Sequence, residues 1–341
     1  MPNNSTKTDK STATREITFD EKNINALREG VSGSKVFIST HGDNSTKVVL
    51  TGQQADIDRV KAQVHLYKLG GRILELNLDD DPNPTSLEGR VLMEILIDET
   101  QPLQVVESVG SSDIVLENGA IGSQAIVEKI GNGSMYLNFT KDVDMKKLHA
   151  VLRGSGLIQL VAPNVKFHSS LQLDAVGSGS IRLHTKQMMA LSLASKVTGS
   201  GDILVNATNL DTNQLSSMVT GSGAIRYHQA GVIGNHVIDL CGSGKVVSSS
   251  LLSEKVLASI TGSGEILTQA LKALDGTVFG SGTFKVCEPW PEHLHVSPRY
   301  EKITHSSKTF KPHPVPTRDL KFGFQKQINL FGDTISINVD I

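Results

Sequence analysis

The sequence predicts an all-β protein: a right-handed parallel β-helix, or β-solenoid, of about nine to eleven coils, with an N-terminal cap and a C-terminal β-hairpin cap. Three observations predict it. A Gly-x-Gly or related Gly-Ser-Ser element recurs from Gly110 to Gly280 at steps of 18 to 23 residues. Apolar residues alternate with other types on both sides of each recurrence. Prolines gather after the last recurrence, six of the eleven falling between Glu288 and Arg318.

The recurrences begin at Gly110, Gly131, Gly154, Gly177, Gly199, Gly221, Gly242, Gly262 and Gly280, and the last seven read Gly-Ser-Gly. A fixed period of this size is the mark of a repeat architecture. Four places after the first glycine stand Ile114, Met135, Ile158, Ile181, Ile203, Ile225, Val246, Ile266 and Phe284, all apolar. Six places after it the column is apolar with two lapses, Ser248 and Thr268. Two places before it stand Leu152, Ala175, Val197, Val219, Leu240, Ile260 and Val278 in the later copies. The place between the two following columns is mixed: Val115, Tyr136, Gln159, Arg182, Leu204, Arg226, Val247, Leu267 and Lys285. Alternation by two on both flanks of a turn means strand, corner, strand. No column keeps the 3.6-residue spacing of a helix.

Glycine at two fixed points implies a sharp corner, where a positive φ or a close approach of neighbouring chains excludes a Cβ. Gly201 is expected to be one such positive-φ position. Twenty-odd residues at about 3.3 Å each trace one circuit of short strands and corners. Nine circuits stacked about 4.8 Å apart span on the order of 40 Å. No circuit buries its inner face alone, so stacking is obligatory. The outer face is expected to carry Ser, Thr, Asn, Gln, Lys and Asp.

Solenoid ends expose unpaired edges and need covers. Residues 1–14 read as a disordered tail and 15–105 as the N-terminal β part and cap. In that part Glu16–Phe19 opens a strand, His41–Asn44 is a turn, Asp56–Val60 is one short helical turn, and Gly70-Gly71 joins a hairpin-like pair. Residues 106–287 are the repeat solenoid. Residues 288–318 read as a proline-rich linker or strap wrapping the solenoid. Residues 319–341 read as a final hairpin expected to pack over the last coil.

Composition narrows the function classes. The net charge is −2 and the pI about 6.6, so the chain is not a general nucleic-acid or membrane-surface binder. Two cysteines, Cys241 and Cys287, make no disulfide scaffold and read as buried free thiols. The polar N-terminus has no apolar leader core, and no run of about 18 apolar residues spans a bilayer. On that ground alone the chain reads as cytoplasmic.

The block FDEKNINALREGVSGSKVFISTHGDNSTKVVLTGQQADIDRVKAQVHLYKLGGRILELNL, followed by the V-x-GSG-x-I series, resembles the GIN-type auto-transporter adhesin head domain family. The likeness runs from about Ile17 to Val286. It implies a β-helical fold, and it implies a protein of the cell surface or exterior.

The place after the corner holds Asp202 and Glu265, three coils or roughly 14 Å apart, too far for a working carboxylate pair. The units lack the fixed Asp of a calcium roll. Gly-Ser-Gly lacks the Lys-Ser/Thr and the helix of a phosphate loop. His293-x-His295 sits in the proline-rich segment without a Cys or acidic cluster of metal-ligand geometry, and no base recurs beside the corner serines. No catalytic residue, metal site or cofactor is therefore expected. Arg182 and Arg226, with His184 and His228 two places on, form one outward strip and are the candidate ligand contacts. The reading is a non-enzymatic, adhesin-like binding module for a polysaccharide or cell-surface protein. The alternatives are a scaffold that self-associates end to end and a carbohydrate-active β-helix enzyme.

Overall fold

The computed structural model describes residues 12–68, 70–79, 87, 89–298, 300–303 and 310–320, with the backbone of strands Gly323–Leu330 and Asp333–Asp340. Of the described residues, 72% are strand and 2% helix, wound as a β-solenoid of about 9 turns. Long strands stack in parallel with little slippage. Ser180–Gly199, Asp202–Gly221 and Ala224–Gly242 align so that Ile181, Ile203 and Ile225 lie one above another. All three are buried, as is the whole column from Ile114 to Phe284. The second column also points inward, and its lapses are satisfied locally: Ser248 Oγ donates to Thr268 Oγ1 at 3.2 Å.

The corners give the coil its period. The first glycine of each unit has a positive φ, +120° at Gly221. Its carbonyl serves the next coil. Gly199 O accepts the backbone N–H of both Ser222 and Gly223 at 3.0 Å. The second glycine is needed for a different reason from the one expected. Gly201 is absent from the positive-φ positions; a Cβ there would meet Gly179 O of the preceding coil at 2.4 Å. Close approach, not handedness, excludes a side chain at that place. Ser222 between the glycines is exposed, so its backbone carries the corner.

The N-terminal end is closed by antiparallel strands. Val91–Asp98 lies parallel on Lys35–His41, Thr46–Gly52 runs antiparallel on Val91–Asp98, and Ala13–Phe19 runs antiparallel on Thr46–Gly52. The first strand thus starts at Ala13. The strands flanking the His41–Asn44 turn do not pair with each other, because Val91–Asp98 inserts between them. Val60–Leu66 closes the neighbouring edge, antiparallel on Arg72–Leu78. The short helix Gln54–Asp58 buries Ile57 in the core.

The proline-rich segment is not strap throughout. His293–Ser297 and Tyr300–Ile303 add one more parallel layer, on Ala270–Gly280 and Thr283–Cys287. Pro289, Pro291 and Pro298 fall outside those strands, where the missing N–H disturbs no ladder. Residues 310–320 then run back along the outside of the coils. Phe310 O accepts Asn206 Nδ2 at 3.0 Å, and Gln159 clamps the backbone of His313 with two hydrogen bonds, at 2.9 and 2.8 Å. Arg318 pairs with Glu94 and Glu117, and Lys35 Nζ holds Asp319 at 2.8 Å. From Asn206 to Lys35 is five coil spacings, about 24 Å. Nine residues cover that in an extended, polyproline-like run at about 3.1 Å each.

The final hairpin forms a separate antiparallel pair, Gly323–Leu330 with Asp333–Asp340. Its expected packing over the last coil lies outside the described residues; Asp319, four residues before it, is held by Lys35.

Candidate functional site

The predicted strip exists as a line in space. Arg182 aligns with Leu204 and Arg226, and His184 with Asn206 and His228, coil on coil. The strap occupies one side of it. His184 is buried, with Nδ1 at 3.4 Å from Asn206 Nδ2 and no partner for Nε2 among the described residues. Burial, with the nearby Arg182 and His313 charges, pushes its pKa down to about 4, so it is neutral at pH 7. The His228 ring lies 4.5 Å from that of Phe310 in the strap. Arg226 reaches Asp202 at 3.0 Å, and Arg182 lines a shallow depression beside His313 and Pro314. The two arginines stay partly exposed at the strap margin, while the two histidines face the strap.

The mixed column had held the signal for this cover. At the N-terminal coils it reads Val115 and Tyr136, and with Phe37 and Leu92 these bury outward against Val315 and Leu320. Apolar residues on an outward column mark something lying over it.

A second surface was missed altogether. The long strand of each coil sends three columns outward, one, three and five places before the first glycine. They register coil by coil, for example Val176 with Thr198 and Lys196 with Met218. At about 6.6 Å between alternate residues, the columns make a flat face on the order of 13 Å across and nine coils long.

Its two halves differ. Near the N-terminus it is ion-paired: Arg28 to Glu107 at 3.0 Å, Arg153 to Glu128 at 2.6 Å, His149 to Asp174 at 2.8 Å. The Asp174 carboxyl sits below its ordinary value; burial opposes this, and the His149 and Gln172 contacts outweigh it. Toward the C-terminus the face becomes aliphatic and hydroxylic. Thr198, Thr220, Cys241, Thr261 and Phe279 form one ladder, flanked by Met218, Val237 and Leu257. Leu257 is 60% and Phe279 69% exposed. Cys241, expected inside, is exposed on this face, whereas Cys287 is buried. The expectation of a purely polar exterior failed here because apolar residues in outward columns were not counted separately.

Among the described residues no three His, Cys, Asp or Glu side chains cluster as metal ligands, and no helix is long and apolar enough to cross a membrane. Fold and surfaces together define a capped parallel β-solenoid. Residues 30–288 match the family described as "Putative auto-transporter adhesin, head GIN domain", and the chain belongs to that family. No curated protein sequence matches the chain. Among solved structures, a "Putative lipid binding protein" from Parabacteroides distasonis is 18% identical, covering 86% of this chain and 96% of its own, with a TM-score of 0.48. A "putative adhesin" from Parabacteroides merdae is 16% identical over 86% of this chain and 96% of its own, with a TM-score of 0.44.

Proposed function

We propose that the protein is a non-enzymatic, adhesin-like binding module of the cell surface, and that its flat outer face is the contact surface. One observation carries the reading: exposed apolar side chains, Met218, Val237, Leu257 and Phe279, spread over the three outward columns of one face with nothing over them among the described residues. A folded domain leaves several large apolar side chains open on one face chiefly where a partner covers them. The family supports a surface location.

Aliphatic residues interleaved with threonines suit a protein partner. A glycan partner would call for a row of aromatic platforms, and Phe279 is the single aromatic in this apolar group. Contacts repeated on successive coils add up, so a weak unit contact suffices. Arg182 and Arg226 would serve only a ligand running beside the strap.

The test is retention of the purified protein on intact cells, on protease-shaved cells and on a glycan array. Leu257→Glu with Val237→Glu should abolish retention while melting stays near wild type. Retention that survives the double substitution, or that resists shaving while glycans bind, would refute the protein-partner reading. Release of reducing ends from a polysaccharide would instead establish the enzyme alternative.

A further inference from the structure

Across the corners from the flat face, the coils and the strap border a depression of about 390 Å³, the size of a small-ligand pocket. Three successive corners line it with Asn132, Ser155 and Ser178. The coils add Leu157 and Arg182, and the strap adds His313. Gln159 fixes the strap at this place by clamping the His313 backbone on both sides, at 2.9 and 2.8 Å.

The two outward columns under the strap repeat one ionic contact. A cation in the mixed column reaches back one coil, to a carboxylate at the place after the corner. Arg226 reaches Asp202 at 3.0 Å, and Lys285 reaches Glu265 at 2.5 Å. Strand register puts each acid one coil back: Asp202 lies beside Ala224, two places before Arg226, and Glu265 beside Thr283, two places before Lys285. The same step from Arg182 leads through Ser180 to Leu157. A leucine therefore stands where the repeat puts the counter-ion, and the depression opens there. Lys245, the other cation of these columns, is also paired, with Glu265 at 2.5 Å. Arg182 has neither a carboxylate nor a hydrogen-bond partner among the described residues.

The neighbouring histidines add no charge at pH 7. Burial, with the Arg182 charge, holds the His184 pKa at about 4 and draws that of His313 below its ordinary 6.5. The lining thus carries one positive charge, set among neutral hydroxyl and amide groups. The side chains of Asn132, Ser155 and Ser178 have no hydrogen-bond partner among the described residues.

We infer that this depression binds a carboxylate carried on a hydroxyl-rich ligand, the chemistry of a uronic acid residue in an acidic polysaccharide. The carboxylate takes the place beside Arg182 that Asp202 holds beside Arg226, where a guanidinium can grip it with two parallel N–H···O bonds. Ring hydroxyls exchange hydrogen bonds with Asn132, Ser155 and Ser178. Hydroxyl and amide side chains outnumber apolar ones in the lining, which suits a sugar ring rather than an acidic peptide. A phosphate dianion would call for a second cation, which the lining lacks. The contact rests on charge, so it needs no aromatic platform, and it does not rest on the flat face being the contact surface.

Calorimetric titration of the full chain with the trimer of galacturonic acid, at pH 7 and low salt, tests this. Binding should saturate, and the fully methyl-esterified trimer should bind about tenfold more weakly or worse. Arg182→Gln should lose as much while melting as wild type does. Leu157→Asp should also lose binding, because it gives Arg182 the internal partner that Arg226 already has. No saturation by the trimer, equal binding of its methyl ester, or undiminished binding by Arg182→Gln overturns the inference. So does displacement of the trimer by equimolar inorganic phosphate, the mark of a general anion site, or by an equimolar peptide rich in glutamate. The trimer is titrated alone, so each outcome is separate from whether the flat face holds a partner.

Discussion

Gly221→Ala is the sharpest perturbation of the coil, because two separate penalties meet at one atom. The backbone at Gly221 has φ +120°, which L side chains rarely adopt, and the added Cβ would sit 2.4 Å from Gly199 O. The strain alone costs on the order of 1–3 kcal/mol. Gly199 O cannot simply move aside, since it accepts two hydrogen bonds, from Ser222 and Gly223. Losing or bending both adds about 1–3 kcal/mol. The expected total is about 2–6 kcal/mol of destabilisation. Gly223→Ala has the contact penalty without the φ penalty, because its Cβ would meet Gly201 O at 2.3 Å. Ser222→Ala, at an exposed side chain between them, should change stability by less than about 0.5 kcal/mol. Denaturant unfolding of the three variants ranks them. If Gly221→Ala unfolds at the wild-type midpoint, or Ser222→Ala costs as much as it does, the corner reasoning is refuted.

Two further outcomes follow from groups buried inside the coils. His236 bonds Ser217 Oγ at 2.9 Å, and burial lowers its pKa from 6.5 to about 3. The unfolded chain takes up the proton first, so this part of the stability is complete above about pH 6.5. It drains away as the pH falls toward 3, by several kcal/mol in all. His184, lowered to about 4, acts in the same direction. His236→Gln should melt with a shallower pH dependence between pH 7 and 4, and an unchanged dependence would count against the assignment. Near the N-terminal pole, Glu29 accepts Ser108 Oγ and Ser112 Oγ at 2.8 and 2.6 Å, and Lys129 Nζ donates to Ser108 Oγ at 2.8 Å. Burial raises the Glu29 pKa and lowers that of Lys129, so each depends on the other's presence. Lys129→Met alone should cost about 3–5 kcal/mol, and Glu29→Gln with Lys129→Met should recover part of it. Equal loss in the single and double variants would show that the two are independent.

The coil was legible because its cause is local and repeated: a glycine pair every 18 to 23 residues and an apolar place at a fixed offset from it. The two glycines look alike in sequence, yet one answers to φ and the other to a neighbouring carbonyl. That distinction needs the stacked coil below. The insertion of Val91–Asp98 between its neighbours was not legible, since its two-sided burial reflects the strap lying over Leu92. The four strip residues were found as a line, but what lies on them is chain some 80 to 130 residues away in sequence, as where Phe310 meets His228 and His313 lies near His184. The exposed ladder from Thr198 to Phe279 was present in the letters and visible by the same column count, had the outward places been read for apolar residues as the inward ones were.

The return strap has a consequence for orientation. Ala13 opens the strand stack at one pole, and Asp319 comes back to that pole beside Lys35. A partner that grips the protein at Ala13 or at Asp319 therefore holds it by the same tip, and the opposite tip projects outward like the free end of a bristle. A pull between Ala13 and Asp319 is carried by the strap contacts and the first few turns, while the outer turns feel no load.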